Sequence, residues 1–313
     1  MNISRLFAAL IPIFFVLILG YVAGRRHTFN SEQASGFSKL ALGFALPATL
    51  FVNMTDIPKN LLLQQSGLVV ALFISHIGLF LLALFAMEQI PSLKGTPAAI
   101  YALMLSSSAA PVFGIQVLRP LLGETSAGTV SLVALSIDFV IPLAIIFLEM
   151  NSAPGSSALN QDSPIAMGIK NGLKSPLLWA PVLGILSVLV GIHVPTEVSS
   201  SLSMIGSATA GVAVFTVGLI LAAHAFRFSR AVVLGTIGRI TIQTALLFAL
   251  LRWMHISGPF AREALVCASF PMATVVVLFA AKYKTLEDET ASILLLSTTS
   301  LFVTVPVTLF MSS

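Results

Sequence analysis

The sequence predicts an all-α integral membrane protein of ten transmembrane helices in two halves. Three observations carry that. The chain is 57% hydrophobic, 9% charged and of mean hydropathy +1.00, whereas a soluble domain carries about 25% charged residues. Its 313 residues, at about 20 per crossing, leave room for roughly ten crossings and their loops. A polar run, Asn151 to Ser163, divides the chain almost in half.

Span one runs from about Leu6 to Gly24. The charge after it, Arg25 and Arg26, and the lack of a clear small-x-small cleavage site read as an uncleaved helix rather than a signal peptide. Gly20 and Gly24 form a GxxxG pair that admits a close neighbour helix. Span two is Leu40 to Thr55 and contains Pro47 and Asn53. Pro47 removes a backbone donor and frees the carbonyl of Gly43, as a packing kink or as a wall of a site. Span three is Ser66 to Met87 with His76 inside; span five is Ala127 to Glu149 with Asp138 near its middle. Spans six, seven, eight and ten are Pro176 to His193, Met204 to Phe226, Ala231 to Leu251 and Thr290 to Met311.

Spans four (Ala98 to Arg119) and nine (Glu263 to Lys282) are different. The first is interrupted by Ser106, Ser107 and Ser108, followed by Pro111 and Gly114; the second by Ser269 and Pro271. Apolar segments broken at matching places in two halves mark the binding site of a transporter. Each half then ends alike, with a broken span, an acidic link and a span carrying Pro142 or Pro306. Alternating ten spans puts eleven Lys and Arg, Arg239 among them near the inner end of span eight, on one side and five on the other. The positive side is cytoplasmic by the charge rule, so both termini face outward. Five spans per half is odd, which makes the halves inverted repeats: residues 1–150, a linker at 151–175, and 176–313.

The candidate site follows. A resumed half-helix presents free N–H groups and partial positive charge to an anion, and proline suits a first turn. Pro111 and Pro271 are therefore expected to start half-helices. Ser106, Ser107, Ser108, Gly114, Ser269 and Thr274 are the candidate substrate contacts, with Pro47 and Asn53 from span two. The alternative for each serine is a bond back to its own helix. Ionisable groups inside a span are functional hypotheses by default. Asp138 and His76 are the candidates for coupling a proton or ion; the alternatives are a structural acid and a packed imidazole.

Other classes are poorly supplied. The net charge of +4 and pI near 9.5 come from scattered cations, not the clustered footprint of a nucleic-acid binder. No Walker motif, H-E-x-x-H or G-x-S-x-G occurs, so ATP hydrolysis and familiar hydrolase chemistry are not expected. The lone cysteine, Cys267, excludes an internal disulfide, and neither a metal nor a cofactor is called for. A passive channel or receptor-like membrane module is the remaining alternative.

The motifs Pro12 to Tyr21 (PIFFVLILGY), Leu46 to Phe51 (LPATLF) and the two broken spans, in that order, resemble the auxin efflux carrier family over nearly the whole chain. The resemblance implies ten helices in two inverted five-helix repeats, with broken helices four and nine crossing and a small carboxylate, such as malonate, bound beside the crossing. It also implies a homodimer. A bacterial cytoplasmic membrane is the expected location. The Asn that family members often carry at the span-four break is absent here, where Ser106 to Pro111 stand instead. The family also includes efflux carriers for hydrophobic weak acids.

Overall fold

A computed structural model describes residues 3–123, 125–152, 174–223 and 228–312. Most of the expected linker, 153–173, and Glu124 of the first acidic link lie outside these.

Described secondary structure is helical: α1 (Ile3–Arg25), α2 (Ser31–Leu40), α3 (Leu46–Thr55), α4 (Lys59–Gln64), α5 (Ser66–Phe73), α6 (Leu79–Glu88), α7 (Thr96–Ser106), α8 (Ala110–Leu122), α9 (Thr125–Ser152), α10 (Pro176–Val190), α11 (Thr196–Gly206), α12 (Ala208–Ala223), α13 (Arg230–Trp253), α14 (Pro259–Ala268), α15 (Val275–Lys282) and α16 (Glu287–Met311). Six helices are long and apolar enough to cross a membrane among the described residues. The two broken stretches do not join that set, because each is divided into shorter pieces.

Two wide turns of π-helix, at Ala41–Ala45 and Ile74–Gly78, carry α2 into α3 and α5 into α6 without leaving the helix. Span two therefore starts earlier than its hydropathy predicts. The capping box of Asn30 and Gln33 opens it, with Gln33 N donating to Asn30 Oδ1 at 2.8 Å and Asn30 N to Gln33 Oε1 at 2.9 Å. The Pro47 disturbance appears as the wide turn just before it, in which Leu46 N donates to Ala41 O. Such insertions recur at functional sites.

The helices pack as two groups. One comprises α1, α2 with α3, α10, and α11 with α12; α1 lies along α12, and α3 along α10 and α11. The other comprises α5 to α9 and α13 to α16, where α9 contacts α7, α8 and α14, and α13 contacts α16, α14 and α7. Glycines set the spacing in the first group. A Cβ at Gly20 would stand 2.2 Å from the Phe215 carbonyl oxygen, and one at Gly184 2.9 Å from that of Phe51. The GxxxG reading holds for both members, since a Cβ at Gly24 would meet Ala222 at 2.6 Å.

These contacts are reciprocal. Gly20 stands to Gly184, and Phe51 to Phe215, at the same sequence offset as Ser108 to Met272, and Pro12 to Pro176 and Pro142 to Pro306 share it. The shared spacing of five pairs ties the two halves together residue by residue.

Candidate functional site

The two interruptions lie against each other. Between α7 and α8 the chain leaves helical geometry at Ser107 (φ −117°, ψ 126°), and between α14 and α15 it does so over residues 270–273. Ser108 and Met272 form an antiparallel bridge. Ala109 N donates to Pro271 O at 2.9 Å, and Ala273 N to Ser107 O at 3.0 Å. Extended backbone at membrane depth must find partners inside the protein, and each gap here supplies the other's.

The bridge corrects one expectation. Pro111 lies in the first turn of α8, as predicted. Pro271 does not start a half-helix: α15 resumes only at Val275, and Pro271 pairs in the bridge opposite Ala109. By that pairing the equivalent of Pro271 is Ser107, not Pro111. Neither position asks for a further backbone acceptor there, because Pro271 has no N–H and Ser107 N donates to Leu103 O at 3.0 Å.

Beside the crossing is a cavity of about 50 Å³, enough for a few waters at the ~10–15 Å³ one requires. It lies between the two helix groups. One wall is Ala41, Leu46, Thr209 and Ala213; the other includes Ser108, Pro111, Asp138, Ile141, Thr274 and Leu278. Of the predicted substrate contacts, Ser108, Pro111 and Thr274 line it, and so does the coupling candidate Asp138. The amides of Thr274 and Val275, opening α15, have no protein acceptor among the described residues.

The remaining candidates are elsewhere. Ser106 donates to Ala102 O at 2.8 Å, Ser107 to Leu103 O and Ser269 to Val266 O at 2.7 Å, so these hydroxyls cap their own helices. Gly114 faces α9, where a Cβ would be 2.6 Å from Val130 Cγ2. It is a close-packing glycine. Pro47 is buried in α3 behind Leu46. Asn53, half-buried on the same helix, hydrogen-bonds through its side chain to the Asp138 carboxyl. That bond ties the two helix groups together at the cavity. Asp138 Oδ2 is buried without a protein partner.

His76 is not in the cavity. It lies in the second wide turn, 1% exposed, with Nδ1 2.9 Å from Leu72 O and 3.1 Å from Ser136 Oγ. Ser136 and Asp138 are two residues apart on α9 and so point to nearly opposite sides of it. The two coupling candidates are thereby separated by a helix.

Two residues exceed what the sequence indicated. Arg239, assigned to the inner end of its span, is the tenth residue of the 24-residue α13 and is 0% exposed. Glu263, read as the start of span nine, is 1% exposed inside α14 and accepts bonds from Ser126 (3.2 Å) and Thr129. The signal for Glu263 was present in the Ser-x-x-Thr of α9, but only the fold brings it alongside.

A membrane transport protein family profile matches residues 5–310. The chain belongs to this family. It is thus a transporter and a multi-pass integral membrane protein of the auxin efflux carrier group that its motifs suggest. An uncharacterized transporter of Escherichia coli strain K12, YfdV, is 29% identical over 306 residues, covering 97% of this chain and 96% of that protein. A Shigella flexneri protein of the same name matches equally. The lysosomal cholesterol signaling protein of Mus musculus is 24% identical over 328 residues, which is 98% of this chain and 37% of that longer protein.

Proposed function

We propose that the protein is a secondary carrier of small organic anions, malonate-like carboxylates first among them, working by alternating access with ten spans in two inverted repeats. The observation that carries this is the cavity at the crossed breaks. It sits between two helix groups, and one wall brings together the free amides of Thr274 and Val275, the hydroxyls of Ser108 and Thr274 and the buried Asp138 carboxyl. A half-helix N-terminus and the hydroxyls of Ser108 and Thr274 suit a carboxylate. The reciprocal contacts of Gly20 and Gly184 with the phenylalanine carbonyls support the inverted repeat, since a two-fold axis in the membrane plane exchanges them.

Asp138 is the proposed coupling group. Two like charges about 5 Å apart repel by roughly 3 kcal/mol at an effective dielectric of 20, so an ionised Asp138 opposes an anionic substrate and a protonated one admits it. Loading with a proton also alters the Asn53–Asp138 bond, the tie between the groups that must slide past each other. Substrate and proton therefore travel together in this scheme, the group of α5 to α9 and α13 to α16 moving against the other.

The experiment is uptake of labelled malonate into proteoliposomes with and without an imposed proton gradient, in wild type and Asp138→Asn. Gradient-driven uptake in wild type, with drive lost but binding kept in the variant, is the expected result. Uptake that follows the gradient equally in the variant would remove Asp138 from the coupling; no malonate movement under any gradient would remove the substrate. A second reading, an efflux carrier for a hydrophobic weak acid, is favoured by the apolar lining of Leu46, Val112, Ile137, Ile141 and Leu278. Competition by carboxylates with longer apolar tails separates the two.

A further inference from the structure

Arg239 is a buried cation that the transport scheme leaves unused. It is 0% exposed, and its Nε, Nη1 and Nη2 have no hydrogen-bond partner. Among the described residues no carboxylate forms an ion pair or hydrogen bond with it. Gln243 lies one turn further along α13, on the same face, and its Nε2 is 2.9 Å from Ser75 Oγ in the wide turn at Ile74–Gly78. His76, in that same turn, is within electrostatic reach of the guanidinium, and its Nε2 is likewise unpartnered and buried. A Cβ at the neighbouring Gly238 would stand 3.5 Å from Leu105, so α13 lies close on α7 and holds the guanidinium inside the second helix group.

Such a group cannot rest as it stands. Guanidinium stays protonated in proteins, and an uncompensated buried charge is strongly destabilising. Water would satisfy its N–H groups but not its charge. The side chains that hydrogen-bond to the wide turn beside α13 are polar and neutral: Ser136, on His76, and the Gln243 amide, on Ser75. That amide can be turned over, with Oε1 accepting from Ser75 and Nε2 then free to donate to another acceptor, since Oε1 has no partner as placed. Oxygen and nitrogen of an amide are exchangeable in this way.

We propose that Arg239, with Gln243, holds a small inorganic anion of the chloride class between α13 and the wide turn of span three. The site is distinct from the cavity, because it lies on the Ser136 side of α9 and not the Asp138 side. The ion neutralises the interior of the second helix group and makes its stability depend on halide. Arg239 and Ser75 are related by the same sequence spacing as Ser108 and Met272.

The test uses the purified full-length protein in detergent. Melting temperature is measured in sodium chloride, bromide, malonate and gluconate at equal ionic strength, for wild type, Arg239→Gln and Gln243→Leu. Halide should raise the wild-type value above that in gluconate. Arg239→Gln should abolish the effect, and Gln243→Leu should weaken chloride binding about tenfold, the scale of one charge-assisted hydrogen bond. Crystals soaked in bromide give an independent reading, with an anomalous peak expected beside the guanidinium, and this decides the matter if Arg239→Gln does not fold. Equal halide response in wild type and Arg239→Gln overturns the proposal, as does a bromide-soaked structure with only water at Arg239. A response to malonate without one to halide also overturns it, and would assign Arg239 to the substrate.

Discussion

Gly218→Ala is the sharpest test of how the cavity wall is held. Gly218 lies where α12 crosses α1, and an added Cβ would stand 2.3 Å from Leu17 O, 2.7 Å from Tyr21 N and 2.9 Å from the Gly20 carbonyl carbon. All three are backbone atoms, so no rotamer change relieves the contact. Carbon contacts are at rest near 3.5–4.0 Å, and α1 must back away by roughly 1 Å, loosening the whole seam. Overpacking of this kind costs about 1–3 kcal/mol, a five- to 150-fold change in the folding equilibrium. It works against the gain of up to about 1 kcal/mol that alanine brings to a helix interior. Gly211→Ala on the same helix is the control, since nothing lies within 4 Å of its added Cβ. The assay is the fraction of monodisperse protein remaining by size-exclusion chromatography after a series of heating steps. Gly211→Ala should survive as well as wild type or better, and Gly218→Ala should be lost at lower temperature. Its uptake should fall too, because Thr209 and Ala213 of α12 form one cavity wall. A Gly218→Ala protein as heat-resistant as Gly211→Ala would refute the contact argument and the helix spacing behind it.

Three other predictions follow from single contacts. Thr274→Val keeps the shape but removes the cavity hydroxyl, and should weaken carboxylate uptake about tenfold in half-saturation, whereas Ser106→Ala, whose hydroxyl only bonds Ala102 O, should leave it unchanged; concentration curves in proteoliposomes distinguish them. Asn53→Ala cuts the tie between the helix groups at Asp138, and should change the pH dependence of uptake while leaving the yield of folded protein within about twofold, as read by uptake across pH and by chromatography. Tyr283 donates to Glu149 Oε1 at 2.6 Å, and burial followed by that carboxylate pushes its phenol above the usual value of 10.0. The folded state then keeps a proton that the unfolded state releases, so this contribution to stability is full below about pH 10 and is lost as pH rises beyond it. Tyr283→Phe should lower the melting temperature at neutral pH and flatten its decline between about pH 10 and 12.

The pair of breaks shows how far local chemistry reaches. Serine, proline and glycine inside an apolar run announce that a helix stops, and they do so in the sequence alone. They do not say where it resumes. Pro271 has the residue type of a helix start, yet the helix resumes only after Ala273, because the Pro271 carbonyl is taken by Ala109 from the other half. The serines show the same limit. Whether a hydroxyl turns toward a cavity or back to its own carbonyl depends on one rotamer, set by the neighbours of that residue. Ser106 and Ser108 are alike in sequence and opposite in use.

What the sequence determined by itself is the solvent and the class of element: so many apolar residues and so few charges can only be satisfied in lipid, with backbone groups paired inside helices. It also marked the two interruptions and the acid at 138, because a polar group in an apolar run is costly wherever the chain goes. The tertiary structure decided the rest. It paired Ser108 with Met272, joined Asn53 to Asp138, moved His76 to the far side of α9 and buried Arg239 instead of leaving it at the membrane surface. Each of these is a contact between residues distant in sequence, and a one-dimensional pattern fixes which face of a helix is polar without fixing what that face meets.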